Sequence, residues 1–213
     1  IASLESGTHA LAYATGMAAT HGATMLLNAG DHIVAGSDIY GGTYRLLHKI
    51  VDRSGVRVSL SQTVDLDAFE AAFTDQTKLA WIESPGNPLM TITDIAACAE
   101  IAHKHGALLA VDNTFATPVL TRPLELGADI VMHSATKYLG GHSDALGGIL
   151  VVSDRELYDE LYFVQNATGA VMGTFSTFLI ARGIKTLELR VREQSRSALF
   201  LAHQLSQHPS VTF

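Results

Sequence analysis

One lysine is set in the stretch "VMHSATKYLGGHSDALGG", residues 131–148. A short apolar run stops at Ser134, Lys137 follows between Thr136 and Tyr138, and two glycines, His142 and Asp144 come next. A solvated surface lysine needs no such setting. An amine at the exit of a buried strand, shielded from water, is a nucleophile toward a carbonyl carbon and can form a Schiff base. Asp112 closes the run "ALLAVD", where a carboxylate either caps a helix, pairs with a cation, or keeps a ring nitrogen protonated. "ATGMAAT", residues 14–20, puts Gly16 and Met17 at a helix start, where free backbone N–H groups and the helix dipole attract an anion. Ser134 and Thr136 can add hydroxyl donors.

Two further positions admit more than one reading. Tyr40 is either core packing or a flat lid on a ring. Asn87, between two prolines in "SPGNPL", is either a rigid turn residue or an amide donor. Taken jointly, these groups fit one molecule: an aromatic ring with a phosphate, a protonatable nitrogen, a phenolic oxygen and an aldehyde. That molecule is pyridoxal 5'-phosphate (PLP). Glu83 stands just before the "SPGNP" turn and can support the site from behind. His103 and His105, two apart on a predicted helix, face different directions and read as polar-face residues, so no metal site is expected. His142 is a candidate for orienting the lysine loop, or a structural hydrogen-bond partner. Cys98 reads as a small core residue.

The elements that must position these groups alternate in period. Strand candidates are 9–15, 31–36, 56–61, 78–84, 107–113, 129–134 and 147–153. Helical patterns lie at 16–30, 42–55, 65–73 and 94–106, the last two starting at aspartates that cap helix N-termini well. Gly30 and Gly55 read as helix stops. Strand–helix–strand repetition predicts an open, mostly parallel seven-stranded α/β sheet with helices on both faces. In such sheets ligands sit beyond the carboxyl ends of the strands, and that is where the candidate groups lie in the sequence. After residue 154 the pattern turns helical over 155–165, 174–182 and 184–206. The expected division is a large domain over 1–183, then a long linking helix and the start of a small domain over 184–213. The closing "HPSVTF" reads as the beginning of a strand, and Ile1 as an internal start, so a longer protein is expected.

Composition bounds the function. The chain of 213 residues is 47% hydrophobic and 16% charged, yet its apolar runs are short. They fit strands buried on both faces rather than membrane spans, which need roughly 18 to 20 apolar residues in a row. A net charge of −7 without a basic block argues against nucleic acid. A single cysteine excludes an internal disulfide and is compatible with a reducing, cytoplasmic compartment.

The stretches "SGTHALAYATGMAA", "GDHIVAGSDIYGGTYRL", "WIESPGNPLMTITDI", "VDNTFATPVLTRPLELGADIVMHSATKYLGGHSD" and "RGIKTLELR" resemble the Cys/Met-metabolism PLP enzymes. These include cystathionine γ-synthase, γ-lyase and β-lyase and methionine γ-lyase. The resemblance covers essentially the whole chain and implies the large domain of the type I, aminotransferase-like PLP fold. It implies that Lys137 holds PLP and shuttles protons, and that Asp112 pairs with the ring nitrogen. Tyr40 would stack on the ring and help move protons, and Asn87 would bond the phenolic oxygen. Gly16, Met17, Ser134 and Thr136 would hold the phosphate.

The implied activity is γ-replacement or γ-elimination on cystathionine, or on an O-acylhomoserine plus cysteine. The alternatives are β-elimination from cystathionine, methionine γ-lysis, and a non-catalytic scaffold of the same fold. Gly42 stands where methionine γ-lyases tend to carry a cysteine. The implied partners are a small amino-acid substrate and further copies of the chain, in a homotetramer with shared active sites. A Tyr-x-Arg pair that reaches the neighbouring subunit's phosphate and an arginine that clamps the substrate carboxylate are expected outside these residues.

Overall fold

A computed structural model describes residues 1–212 of the chain. Seven strands form one sheet: β1 (His9–Tyr13), β2 (His32–Gly36), β3 (Arg57–Ser61), β4 (Thr77–Glu83), β5 (Leu108–Asp112), β6 (Ile130–Ser134) and β7 (Gly148–Val152), in the order β1-β7-β6-β5-β4-β2-β3. The pairs β2–β3, β2–β4, β4–β5 and β5–β6 are parallel, and β7 runs antiparallel to both β6 and β1. All seven predicted strands are present, each trimmed or shifted by a residue or two. Because β7 alone runs against the rest, the carboxyl ends of β1, β2, β4, β5 and β6 meet on one edge. The start of β7 joins them there.

The apolar runs are continuous where both faces are covered. Every residue of β2 and β7 is buried, whereas the edge strand β3 exposes Arg57 and Leu60. Eight α-helices cover the sheet: α1 (Gly16–Thr24), α2 (Gly41–Lys49), α3 (Leu66–Ala71), α4 (Ile95–Lys104), α5 (Thr117–Leu120), α6 (Arg155–Thr168), α7 (Thr174–Ile184) and α8 (Leu187–Ser206). Tyr13, Leu47, Trp81 and Leu150 fill the core on one face, and Phe69, Ile82, Leu109 and Cys98 belong to a core on the other. Burial pushes the Cys98 thiol up to about 12, which suits a packing residue.

Caps explain where helices begin. Thr15, Asp65, Asp94 and Asp154 accept hydrogen bonds from the N–H groups of Ala18, Ala68, Ala97 and Leu157, three residues on, at 2.8–3.0 Å. Several predicted boundaries move: the helix expected over 42–55 ends at Lys49 and a separate 3-10 turn follows over Val51–Ser54, and the long helix expected from 184 starts at Leu187. The helix expected over 16–30 ends at Thr24, because Gly30 (φ +97°) serves a turn whose N–H donates to Gly55 O at 2.8 Å. Residues 208–212 form no strand, having no strand to pair with; Phe213, the last residue of that expectation, lies outside the described residues. No helix among the described residues is long and apolar enough to cross a membrane.

Behind the sheet edge lies a buried polar cluster that the periodicity of the sequence does not reveal. Glu5 and His133 are fully buried and hydrogen-bonded through Oε1 and Nε2. Asn113 Nδ2 donates to the same Oε1 at 2.8 Å and to Thr121 O at 2.9 Å. The cluster ties the first turn of the chain to the ends of β5 and β6, immediately beside Asp112 and Ser134. Glu5→Ala strands His133 and Asn113 without their partner in a dry interior. The expected loss is ~2–4 kcal/mol, read as a lowered urea midpoint with an unchanged slope.

Candidate active site

The strand ends enclose a cavity of about 390 Å³. Its walls include all eight positions singled out in the sequence: Gly16, Met17, Tyr40, Asn87, Asp112, Ser134, Thr136 and Lys137. They arrive from five separate connections. Gly16 and Met17 open α1 after β1, Tyr40 precedes α2 after β2, and Asn87 lies in the loop after β4. Asp112 is the last residue of β5, Ser134 is the last of β6, and Thr136 and Lys137 follow it.

Gly16 has a packing reason as well as a turn. A Cβ there would stand 2.9 Å from both Cβ and Oγ of Ser134, closer than real side chains approach. The main chain at the head of α1 therefore lies against Ser134. Thr136 Oγ1 accepts from Gly147 N at 3.2 Å and donates to Gly147 O at 3.3 Å, so it pins the loop after β6 to the start of β7. Ser134 Oγ has no protein partner among the described residues, and its main-chain N–H donates to Thr114 Oγ1 at 2.8 Å.

Asp112 is buried, 5% exposed, at the floor of the cavity. Its Oδ1 accepts from both the N–H and the hydroxyl of Thr114, the N–H at 3.0 Å. Burial raises the Asp112 pKa; the two Thr114 hydrogen bonds and His133 behind it act in the opposite sense. Oδ2 takes no hydrogen bond among the described residues, which leaves an acceptor for a cationic group in the cavity.

Lys137 departs from expectation in one respect. It lines the cavity but is exposed, on the open side shared with a second, wider hollow of about 850 Å³. The buried strand ends at Ser134, three residues earlier, and the chain has already turned outward. The turn itself is fixed. Arg190 on α8 donates to Tyr138 O and Gly183 O at 2.8 Å each, and His142 Nδ1–H donates to Gly140 O at 2.7 Å. Arg190 closes the "RGIKTLELR" stretch, so its signal lay in a motif that sequence reasoning did not connect to the lysine.

The loop bearing Asn87 is held by Asp38. Its Oδ1 accepts from Leu89 N at 3.1 Å and its Oδ2 from Thr91 N at 3.3 Å, while Gly86 N donates to Thr91 O at 2.8 Å. Burial works against the Asp38 carboxylate, yet the hydrogen bonds from Thr91 and Leu89 hold it below the usual range. Tyr40 is 45% exposed and so is not a core residue. The cavity also includes Thr15, Thr20, Thr43, Glu83, Thr114 and Phe115, of which Glu83 carried a sequence signal of its own and Thr15 and Thr114 only their places just after strand runs. Elsewhere, His103 bonds Asp129 at 2.9 Å and His105 bonds Glu70 at 3.3 Å. No group of three or more metal-ligating side chains forms among the described residues.

The set is a small cradle, a buried carboxyl, an aromatic, an amide and an amine. Residues 1–213 match the family described as Cys/Met metabolism PLP-dependent enzyme. The chain belongs to that family. Over 213 residues it is 49% identical to a cystathionine γ-synthase of Mycobacterium tuberculosis, covering 100% of this chain and 55% of the relative. Over 211 residues it is 49% identical to a chloroplastic cystathionine β-lyase of Arabidopsis thaliana, covering 99% of this chain and 46% of the relative. It superimposes with a TM-score of 0.98 on the crystal structure of a cystathionine γ-lyase from Lactobacillus plantarum complexed with L-serine. That match is 44% identical and covers 100% of this chain and 56% of the other. The chain thus spans about half the length of these members of its PLP-dependent family.

Proposed function

We propose that the chain supplies the PLP-binding half of an active site for γ-replacement or γ-elimination on a sulfur amino acid or an O-acylated homoserine. The observation that carries this reading is the meeting of Lys137, Asp112 and the head of α1 in one cavity of about 390 Å³. The donor set fits PLP. The cradle closed to any side chain at Gly16 suits the phosphate, with the N–H groups of Gly16 and Met17 and the hydroxyl of Ser134 as donors, joined by Thr136 once its hydroxyl exchanges the 3.3 Å bond to Gly147 O for the phosphate. The free Oδ2 of Asp112 suits the ring nitrogen. Tyr40 would cover one ring face, Asn87 would donate to the phenolic oxygen, and Lys137 would hold the aldehyde carbon.

When bound, PLP supplies an electron-withdrawing ring that stabilises negative charge on the substrate's α-carbon. The protein does the rest. Lys137 Nζ is the one amine lining the cavity among the described residues, and it is the base for the Cα proton. The Tyr40 side chain lines the same cavity and assists proton movement at the neighbouring carbon. Asp112 keeps a negative charge beneath the ring nitrogen. The exposed side at Lys137 is the route for the substrate amine.

The active partner is a small amino acid, and the assembly proposed is a homotetramer whose subunits complete one another's sites. A product assay on the full-length protein tests the chemistry. With cystathionine alone, 2-oxobutanoate is expected; with an O-acylhomoserine and cysteine, cystathionine is expected. Pyruvate as the sole product from cystathionine would replace the γ-reading by β-elimination.

A further inference from the structure

Glu83 lies within the walls of the cavity yet has no part in the chemistry above. It is the last residue of β4 and sits in register with Asp112, the last residue of β5, so two buried carboxyls stand side by side at the sheet edge. Its Oε2 accepts the main-chain N–H of Tyr40 at 2.6 Å. Tyr40 opens α2 without any side-chain cap of its own; its carbonyl accepts from Tyr44 N at 3.1 Å within the helix, and the Glu83 bond fixes its N–H.

We propose that Glu83 is a positioning residue: it holds Tyr40 over the cavity, and of the adjoining pair it carries the proton while Asp112 carries the charge. The consequence for PLP rests on the function proposed above; the division of the proton does not.

The environments of the two carboxyls differ. Asp112 accepts two hydrogen bonds from Thr114, with His133 on its far side. Glu83 accepts one, from Tyr40, and faces two acids, Asp112 on β5 and Asp38 after β2. Lys137, beyond β6, also lines the cavity and is exposed to solvent. Burial raises both carboxyls, two like charges in adjoining buried positions cannot both be sustained cheaply, and the one that accepts more hydrogen bonds keeps its charge. Burial first, and then the Asp112 and Asp38 charges, push Glu83 up to about 8, against the pull of the Tyr40 N–H. The folded protein therefore holds a proton that the unfolded chain has already lost above the usual carboxylate range. Stability contributed at this position falls as pH rises toward about 8, the sign set by the unfolded state binding fewer protons.

The test uses the full-length protein in three forms: wild type, Glu83→Gln and Glu83→Ala. Carbon-13 NMR of labelled glutamate side chains, without PLP, should show one carboxyl titrating well above the usual range. That signal should be absent from both variants. Gln keeps an acceptor for the Tyr40 N–H and Ala does not, so PLP should bind Glu83→Ala about tenfold more weakly than Glu83→Gln, the worth of one buried hydrogen bond. A Glu83 signal titrating in the ordinary range overturns the proton assignment. Equal PLP affinity in the two variants overturns the positioning role. A wild type that binds no PLP under any condition contradicts the proposed function instead, and the NMR result still decides the proton assignment.

Discussion

Lys137→Ala in the full-length protein is expected to abolish the visible absorbance of the PLP-loaded form and to lower turnover by at least ~10²–10⁴-fold, the range for losing a positioned base. The covalent hold on the aldehyde is lost as well, which adds to the deficit. The variant should fold normally. Lys137 is exposed, makes no side-chain hydrogen bond or ion pair among the described residues, and its turn is held independently by Arg190 and His142. Exposed substitutions of this kind usually change stability by no more than ~0.5 kcal/mol. Circular dichroism and urea unfolding should therefore match wild type while absorbance and activity vanish. A variant that keeps both would remove the lysine from the chemistry.

Asp112→Asn is the second large effect. The amide nearly preserves the shape of the side chain, and with its oxygen in the Oδ1 position it keeps both Thr114 hydrogen bonds. What disappears is the charge beneath the ring nitrogen. Turnover should fall ~10²–10³-fold, by analogy with removing one preorganised electrostatic contact. PLP should still bind, more weakly, because Lys137 and the α1 cradle remain. The same variant bears on Glu83. With the Asp112 charge gone, the Glu83 carboxyl should titrate closer to the ordinary range, since Asp112 is one cause of its displacement. Full activity in Asp112→Asn, measured as kcat/KM, would contradict the role assigned to this carboxyl.

Much of the fold was legible because its signals are local. A short apolar-centred run such as "DIVMHS" marks a strand wherever it falls, and Asp65 and Asp94 announce helix starts within one turn of chain. The sheet's edge also follows from the sequence, since each candidate side chain comes just after a run. The direction of β7 did not follow, because a run of buried residues reads alike in either direction. Gly30 misled for a related reason: a glycine past a helix and a glycine in a turn look the same until Gly55 is seen to accept its N–H.

The second layer of the site was the least legible. Glu5 meets His133 across 128 positions, Asn113 reaches Glu5 across 108, and Tyr40 N meets Glu83 across 43. No period or spacing encodes such partners. Thr114 follows Asp112 by two residues, and only the fold shows its hydroxyl bridging Asp112 and the Ser134 N–H. Lys137 was expected to be shielded from water, and the folded chain leaves it on an open rim. The eight positions read from the sequence do line one cavity, and their roles there are proposals that the variants above can decide.

Borohydride reduction of the full-length, PLP-loaded protein, followed by peptide mass mapping, probes the covalent attachment most directly. A pyridoxyl group retained on the peptide containing Lys137, and on no other lysine, is the predicted result. A label found on another lysine, or a saturated protein that retains none, would contradict it.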